Sequence, residues 1–477
     1  MSSASFDYGR FVDVAGPLRR NVRRMRLALA RGYKPPPRMS VAEWAERNRE
    51  FPEESPYPGK WRHSTAPYLV EIMEALTPSD PCEEIAVIKS GQSGATAAAE
   101  NFVGFISDIS PGPAMYVQAT FRAAIDWAEE KLWPMVEATP RLNPAKGGTI
   151  RAQNERTSNG STKYRIKFRR GGYLLLAGAN SAATLRQHTI RFAIEDDLDQ
   201  FPDDLDNQGS PEVMIDNRLK VYRRQGLSKR IKISTPTIKG ASKIDAAYEA
   251  SDKRRYYLKC PHCGERFDPV WNDIVWPDGK PEEAYLVAPC CGGIVEHWRK
   301  KAMSLPDGWL STLERDGEKP PRHMTEEAFR AWKAKKPHGS RRGYHVTGIV
   351  SSFETWADLA TLFLAAQGDQ NKLKAWTNLH LGNPFELKMN TPDYEKLREL
   401  REQDWGFNQM PPGPVIGTMG CDVQGDGIFY EKLGWGDLDE TWSLETGFLP
   451  GATDVRGEGA WADLEKVARK PMVFAGG

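Results

Sequence analysis

The chain has 477 residues, 40% of them hydrophobic and 27% charged, with a formal net charge of +1. That length and apolar content suit two or three domains with a substantial core, while the near-neutral balance says nothing about a nucleic-acid partner. No apolar run approaches the length of a membrane-spanning helix and the opening MSSASFDYGR lacks the apolar stretch of a signal peptide; six cysteines, four of them clustered, speak for a reducing compartment and against a disulfide scaffold.

Residues 18–38 (LRRNVRRMRLALARGYKPPPR) carry a dense basic cluster on a helix-like pattern that stops at Pro35, Pro36 and Pro37, where a linker follows. A solvated face and a phosphate-contacting helix both fit that pattern. The stretch 44–68 is rich in Trp, Tyr and Pro, and its Tyr57, Trp61 and Tyr68 can stack on a nucleotide base or form a packed aromatic cap.

Next, EEIAVIKS (83–90) predicts a buried strand and ATAAAENFVGFIS (95–107) a helix, joined by KSGQSGAT. Laid on the phosphate-loop template G-x-x-x-x-G-K-[ST], Gly94 and Thr96 fall in place, Ala95 occupies the lysine slot and Lys89 the first glycine slot. The cation has moved to the front of the loop but is still supplied. Lys89, Ser90, Gly91, Gln92, Ser93, Gly94, Ala95 and Thr96 can therefore offer converging N–H groups, an ammonium for β- and γ-phosphates and a hydroxyl for Mg2+. On the loop alone, a small-residue turn in an ordinary βα unit is the other reading.

Downstream, in RFAIEDDLDQF, an apolar run (192–194) leads into Glu195, Asp196, Asp197 and Asp199. Nucleotide hydrolysis needs one carboxylate at such a strand end to hold Mg2+ through water and a neighbour to polarise the attacking water, which points to Asp196 and Asp197. A solvated acidic turn is the plainer alternative. KRIKISTPT (229–237) predicts another strand, and its terminal Ser234 and Thr235 would face a ligand crevice in an open α/β sheet.

Cys260 and Cys263 form a knuckle with the C-x2-C spacing of a zinc site. The second half is irregular: Cys290 and Cys291 are vicinal, Cys291 is the best third ligand, and Cys290, His297 or a water completes the shell. Residues 307–343 are rich in Lys, Arg, Pro and Gly and predict an exposed loop, with Lys333, Lys335, Lys336, Arg341 and Arg342 as DNA contacts or solvated charges. Strand-then-helix patterning resumes at GYHVTGIVSSFETWADLATLFLAAQ, and PPGP (411–414) marks a boundary. Beyond it, VIGTMGCDVQGDGIFYEKLGWG predicts a strand bearing Asp422, a glycine-rich turn and a second strand, which suits either a metal-binding nuclease opening or an ordinary hairpin.

In this order, PGKWRHSTAPYLVEIMEAL, VIKSGQSGAT, EDDLDQFP, the STPT turn, CPHCG, NLHLGNPFE and GCDVQGDG resemble the large terminase subunit of lambda-type tailed bacteriophages, over most of the chain. The resemblance implies an α/β fold: a P-loop ATPase sheet of the additional-strand (ASCE) type with a small Cys-knuckle insertion and an RNase H-like nuclease domain. It places a small-subunit docking helix at 1–40, the motor at 41–395 with the insertion at 256–300, and the start of the nuclease at 412–477, expected to be incomplete and inactive as it stands. It makes Lys89 the phosphate-binding lysine, Thr96 the Mg2+ hydroxyl, Asp196 the metal-associated acid, residues 234–236 the coupling motif and Asp422 a ligand for Mg2+ or Mn2+ in the nuclease. It further implies ATP as substrate, Zn2+ at the cysteines, and double-stranded DNA, the small subunit and the portal of a procapsid as partners. A homo-oligomeric ring working in the host bacterial cytoplasm, with no membrane, completes the expectation. Arg186, Arg191 and Arg218 are candidates for an arginine acting in trans. Asp197 departs from the family's usual glutamate by one methylene, which leaves open a catalytically inactive assembly remnant of a prophage.

Overall fold

The computed structural model describes residues 21–26, 38–154, 160–205, 207–314, 317–335, 339–386, 405–406, 409–437 and 440–474. The basic segment 18–38 lies outside them except for the helical turn 21–26 and Arg38, and Lys336 is also outside. The chain divides into two compact units, Met1–Leu387 and Lys388–Gly477.

One nine-stranded sheet organises the first unit. In chain order its strands are β1 Glu84–Lys89, β2 Pro113–Gln118, β3 Arg165–Lys167, β4 Tyr173–Gly178, β5 Phe192–Asp196, β6 Lys229–Ser234, β7 Arg254–Tyr256, β8 Trp309–Ser311 and β9 Arg341–Val346. Side by side they run β8-β7-β9-β1-β6-β5-β2-β4-β3. The pairings from β7 to β4 are parallel, and β8 and β3 close the edges antiparallel. β6 thus lies between the strand of the lysine loop and the acidic strand, as an additional-strand ATPase sheet requires.

Alternation along β1 splits the core. Ile85 and Val87 pack with Phe102, Val103 and Ile106 of the helix Ala95–Asp108, whereas Ala86 and Ile88 pack on the other face with Met214, Ile215 and Leu219 of the helix Pro211–Arg223. A sheet covered on both faces calls for strands apolar throughout, yet β6 reads KRIKIS and all six residues are buried. Its charges are tolerated because each is partnered. Lys229 Nζ donates to the carbonyls of Ala75 (2.9 Å) and Asp80 (2.7 Å), Arg230 forks onto Glu195, and Lys232 pairs with Glu84 and Glu212 at 3.2 Å each. Gly104 lets the helix Val41–Asn48 approach closely, since a Cβ there would lie 2.2 Å from the Trp44 ring.

The cysteine insertion is larger than its motif predicts. Tyr256 belongs to β7, and the excursion before β8 holds a small sheet, Ile274–Val275, Tyr285–Val287 and Ile294–Val295. A second small sheet joins Leu258–Lys259 and Arg266–Phe267 to His323–Met324, which follows β8. Residues 307–343 are not simply an exposed loop: β8 is fully buried, with Trp309 edge-on to Tyr256 at 5.1 Å, and Glu326–Ala334 is a helix. Lys333 pairs with Glu71 (2.8 Å) and Arg342 with Asp80 (3.0 Å), so these two basic groups are engaged within the unit. After β9, helices Trp356–Ala366 and Gln370–Trp376 run into a π-helical turn, Thr377–Leu381.

In the second unit, β10 Ile416–Val423, β11 Gly427–Trp435 and β12 Thr441–Pro450 form an antiparallel meander, and the helix Ala460–Arg469 packs on β11 and β12. Among the described residues no helix is long and apolar enough to cross a membrane.

Candidate nucleotide and metal sites

The lysine loop is held from behind by the last residue of β9 and by the chain that follows it. Ser90 N donates to Val346 O at 2.8 Å and Gly91 N to Leu379 O at 2.6 Å, the latter carbonyl belonging to the π turn. Tyr68 OH donates to Ser93 O at 2.8 Å. The loop turns through two left-handed residues, Gln92 (φ 52°) and Gly94 (φ 82°). At Gly94 a side chain would also press on Leu69 and Phe353, each 3.2 Å from the Cβ position. The helix Ala95–Asp108 begins at the next residue, so the unpaired N–H groups of its first turn open toward the loop.

Three neighbouring strand ends converge here. Thr96 Oγ1 lies 3.4 and 3.3 Å from the two Asp196 carboxylate oxygens, and Lys89 Nζ lies 3.4 Å from Thr235 Oγ1 after β6. Asp196 also accepts from Tyr116 OH (2.7 Å) and Gln118 Nε2 (3.3 Å) on β2. Burial, then the adjacent Asp197 charge, push the Asp196 carboxyl up to about 6, against the lowering effects of Tyr116, Lys89 and Thr96. Asp197 is exposed and left-handed (φ 56°), turning the chain sharply away at the end of β5. Glu195 faces the other way, fully buried on Arg230 at 2.5 and 2.9 Å, and so is no substitute for Asp197. Asp199 ties the acidic turn to the Ser-Thr turn: its N–H donates to Ser234 Oγ (3.1 Å), and its carboxylate accepts from Thr237 Oγ1 (2.9 Å) and Ile244 N (2.8 Å).

A crevice of about 760 Å3 opens over these groups, lined by Lys89, the residues 92–97, Asp196 and Asp197, and on another side by Phe51, Trp127 and Met135. The aromatic stretch contributes Phe51 rather than the three rings singled out from sequence. Trp61 is buried against Phe51, Tyr68 is spent on Ser93, and Tyr57 meets Phe353 edge-on at 5.5 Å. Of the three arginines near the acidic motif none lines the crevice; Arg191 donates to Leu227 O (3.0 Å) and Arg218 to Arg186 O (2.7 Å).

The four cysteines meet. Cys260, Cys263, Cys290 and Cys291 place their sulfurs within 4.8 Å of one another, with Cys260–Cys291 at 3.8 Å and Cys263–Cys290 at 3.4 Å. Four thiolates about 2.3 Å from one Zn2+ stand roughly 3.8 Å apart, so the set fits that ion. His297, one of the open fourth ligands, instead accepts from Trp356 N at 3.4 Å, outside the cluster. His262 Nε2 and Ile294 O, 2.9 Å apart, fasten one hairpin to the other.

In the second unit Asp422 is exposed on β10, its Oδ2 accepting from Gln424 Nε2 at 2.8 Å. The buried ion pair there is Lys432–Glu445, 2.9 Å, on β11 and β12.

Residues 55–309 match the family model of the phage terminase large subunit gpA ATPase domain, and residues 341–476 match that of the gpA endonuclease domain. The chain belongs to the gpA family of phage terminase large subunits. The large subunit of Escherichia phage lambda is 26% identical over 460 residues, 90% of this chain and 65% of that protein. That of Enterobacteria phage P21 is 26% identical over 443 residues, 87% of this chain and 63% of that protein. The chain thus spans a little under two thirds of these curated relatives. Among solved structures, the HK97 bacteriophage large terminase is 13% identical, covers 84% of this chain and 66% of its own, and has a TM-score of 0.37. The Thermus phage P74-26 ATPase domain is 15% identical, with 66% and 91% covered and a TM-score of 0.34.

In this gpA-family chain the endonuclease match begins at Arg341, the first residue of β9, which is paired with β1 in the first unit's sheet. Sequence reading passed over Tyr116 and Gln118, although their strand ends next to the acidic one, where polar side chains face a ligand. It also passed over Arg49, Glu100 and Trp127, which line the crevice from other elements.

Proposed function

We propose that the chain is the ATP-hydrolysing motor part of a large terminase, driving double-stranded viral DNA into a procapsid, with a metal-dependent endonuclease unit after it. The observation that carries this reading is the meeting of Thr96 with Asp196 at 3.3 Å beside the buried Lys89, with β6 between their strands. Lys89 and the N–H groups of 92–96 would hold the β- and γ-phosphates, the N–H of Gly91 being engaged by Leu379 O. Thr96 and, through water, Asp196 would hold Mg2+, which when bound neutralises charge on those phosphates. Asp197 would orient the attacking water.

Lys89 Nζ bridges toward Thr235, and Asp199 links Ser234 to the acidic turn, so a change at the terminal phosphate has a short path to the turn after β6. That path makes Ser234 and Thr235 the coupling residues of a motor whose grip on DNA follows nucleotide state. Sequence-independent contacts to phosphate suit such tracking. The four cysteines would hold a structural Zn2+ that ties the two hairpins of the insertion together. In the second unit Asp422 would be one ligand for Mg2+ or Mn2+; two-metal cleavage needs further carboxylates from other strands. The small subunit, the portal and a homo-oligomeric ring in the bacterial host cytoplasm are the partners and setting that the family membership supports.

Steady-state ATP hydrolysis, with and without linear duplex DNA, tests this in the wild type, Lys89→Ala and Asp197→Glu. The expected result is DNA-stimulated turnover that disappears in Lys89→Ala and rises in Asp197→Glu. Asp197, shorter than the family's glutamate, favours a second reading, an inactive assembly remnant. Absence of turnover in the wild type and in Asp197→Glu would establish that reading instead.

A further inference from the structure

NLHLGNPFE (378–386) takes no part in the phosphate or metal chemistry above, yet it backs the lysine loop. Gly91 N donates to Leu379 O at 2.6 Å, and the backbone at Gly382 abuts the loop so closely that a Cβ there would lie 2.6 Å from Ser90 N. With Ser90 N on Val346 O, two N–H groups of the loop are turned backward, and that choice decides which of the others face a phosphate. The π turn Thr377–Leu381, which presents Leu379 O, is a rare form of helix met mostly at functional sites.

Both shoulders of the cysteine insertion grip this stretch. On the entering side, Arg255 of β7 is tied to Asp268 in the insertion at 3.0 Å, and its Nη1 lies 2.5 Å from His345 Nδ1. His345 Nε2 lies 2.7 Å from Gly382 O. A guanidinium only donates, so Nδ1 accepts and Nε2 carries the proton that Gly382 O receives. On the leaving side, Lys300 is 4% exposed, and its Nζ donates to Glu354 O at 2.8 Å and Gly348 O at 3.3 Å. Both acceptors lead to the same place: Gly348 N donates to His380 O at 3.0 Å, and His380 Nδ1 donates to Glu354 Oε1 at 2.5 Å. An ammonium is costly to bury, and packing on Trp356 alone would be met by an apolar side chain. The charge at Lys300 instead fixes two carbonyls on either side of the His380 contact.

We infer that Arg255 and Lys300 are positioning residues through which the cysteine insertion holds residues 379–382, and with them the backward-facing N–H groups of the lysine loop, so that the insertion sets the loop's affinity for nucleotide. This rests on the nucleotide reading of the crevice. Neither residue lines that crevice, so each acts through the backbone behind the loop.

Calorimetric binding of ADP to the full chain tests it in Lys300→Met, which keeps the packing on Trp356 but gives the two carbonyls no donor, and in His380→Leu, which cuts the same path at its far end. Each is expected to lose about fivefold in ADP affinity, and the double variant about the same, because two cuts in one path do not add. His380→Asn keeps a donor toward Glu354 and is expected to stay within about twofold of the wild type. Ile166→Ala destabilises the sheet from β3, at the edge opposite the insertion, and is expected to bind ADP as the wild type does. Unchanged ADP affinity in Lys300→Met and His380→Leu, losses that multiply in the double variant, or an equal loss in Ile166→Ala overturns the inference while leaving the nucleotide reading intact. The His380 side chain is 30% exposed and tolerates replacement, so its leucine and asparagine variants decide the matter if Lys300→Met does not fold. If the wild type does not bind ADP, the nucleotide reading itself falls and this inference with it.

Discussion

Asp196 in the first unit and Asp422 in the second both lie at or near the end of a strand, in opposite settings. Asp196 is buried and receives a phenol, an amide and a hydroxyl from three other residues. Asp422 is exposed and has one bond, from Gln424 two residues away. The strands that carry them differ in the same way: every residue of β5 is buried, and none of β10 is. A carboxylate held by distant elements has its position and proton affinity set by the fold, while one on an exposed strand is set by its neighbours in sequence.

The largest effect that tests this contrast is on turnover. Lys89→Ala is expected to reduce ATP hydrolysis at least about 100-fold, as removal of one preorganised charge at a reacting phosphoryl group does, whereas Asp422→Asn is expected to leave it within twofold. Equal losses in both variants would break the separation of the two units.

Next in size is the metal. The purified chain is expected to carry about one zinc, and Cys260→Ser or Cys290→Ser to lose it and destabilise the insertion by several kcal/mol, measured by metal analysis and thermal unfolding. His297→Ala should keep its zinc, because His297 is engaged with Trp356; zinc loss in that variant would reinstate the histidine as a ligand.

A smaller effect is the pH dependence of stability in metal-free protein. Folded Asp196 holds its proton up to about 6, whereas an unfolded aspartate releases it near pH 3.9. Between these values the folded state binds more protons, so this group's contribution to stability declines as pH rises, by up to about 3 kcal/mol in all. Denaturant midpoints from pH 4 to 7 should show that decline in the wild type and lose it in Asp196→Asn. Tyr116→Phe removes a bond that favours the charged form and should extend the decline to higher pH. Smallest of all, Asp422→Asn should change the unfolding free energy by less than about 0.5 kcal/mol, as befits an exposed site.

Much of the first unit was legible in advance because its signals are local. The strand and helix around the lysine loop fall at Glu84–Lys89 and Ala95–Asp108, since the apolar run, the small-residue turn and the alanine-rich segment each specify their own backbone state. That Glu195 points to the opposite face of the strand from Asp196 followed from strand alternation, and on that face it is buried against Arg230. Residues 307–343 misled because their charge and proline content masks two short apolar anchors, Trp309 and Phe329, that are buried against other elements. β6 shows the converse, with a charged strand buried because acids from β1, β5 and the helix Pro211–Arg223 face it.

By itself, then, the sequence determined the chemical parts: a displaced lysine on a glycine loop, a pair of acids after an apolar strand, a four-cysteine set and a family likeness spanning both units. Only the tertiary structure decided how those parts are partnered. That Asp196 is held by Tyr116 and Gln118, that the loop leans on Leu379, that four cysteines rather than three and His297 converge, that Arg49 pairs with Glu100 and that Trp127 stacks on Tyr116 are contacts between residues apart in the chain. Periodicity and spacing report the local backbone, and the order of strands in a sheet is settled by which buried faces and charges find each other.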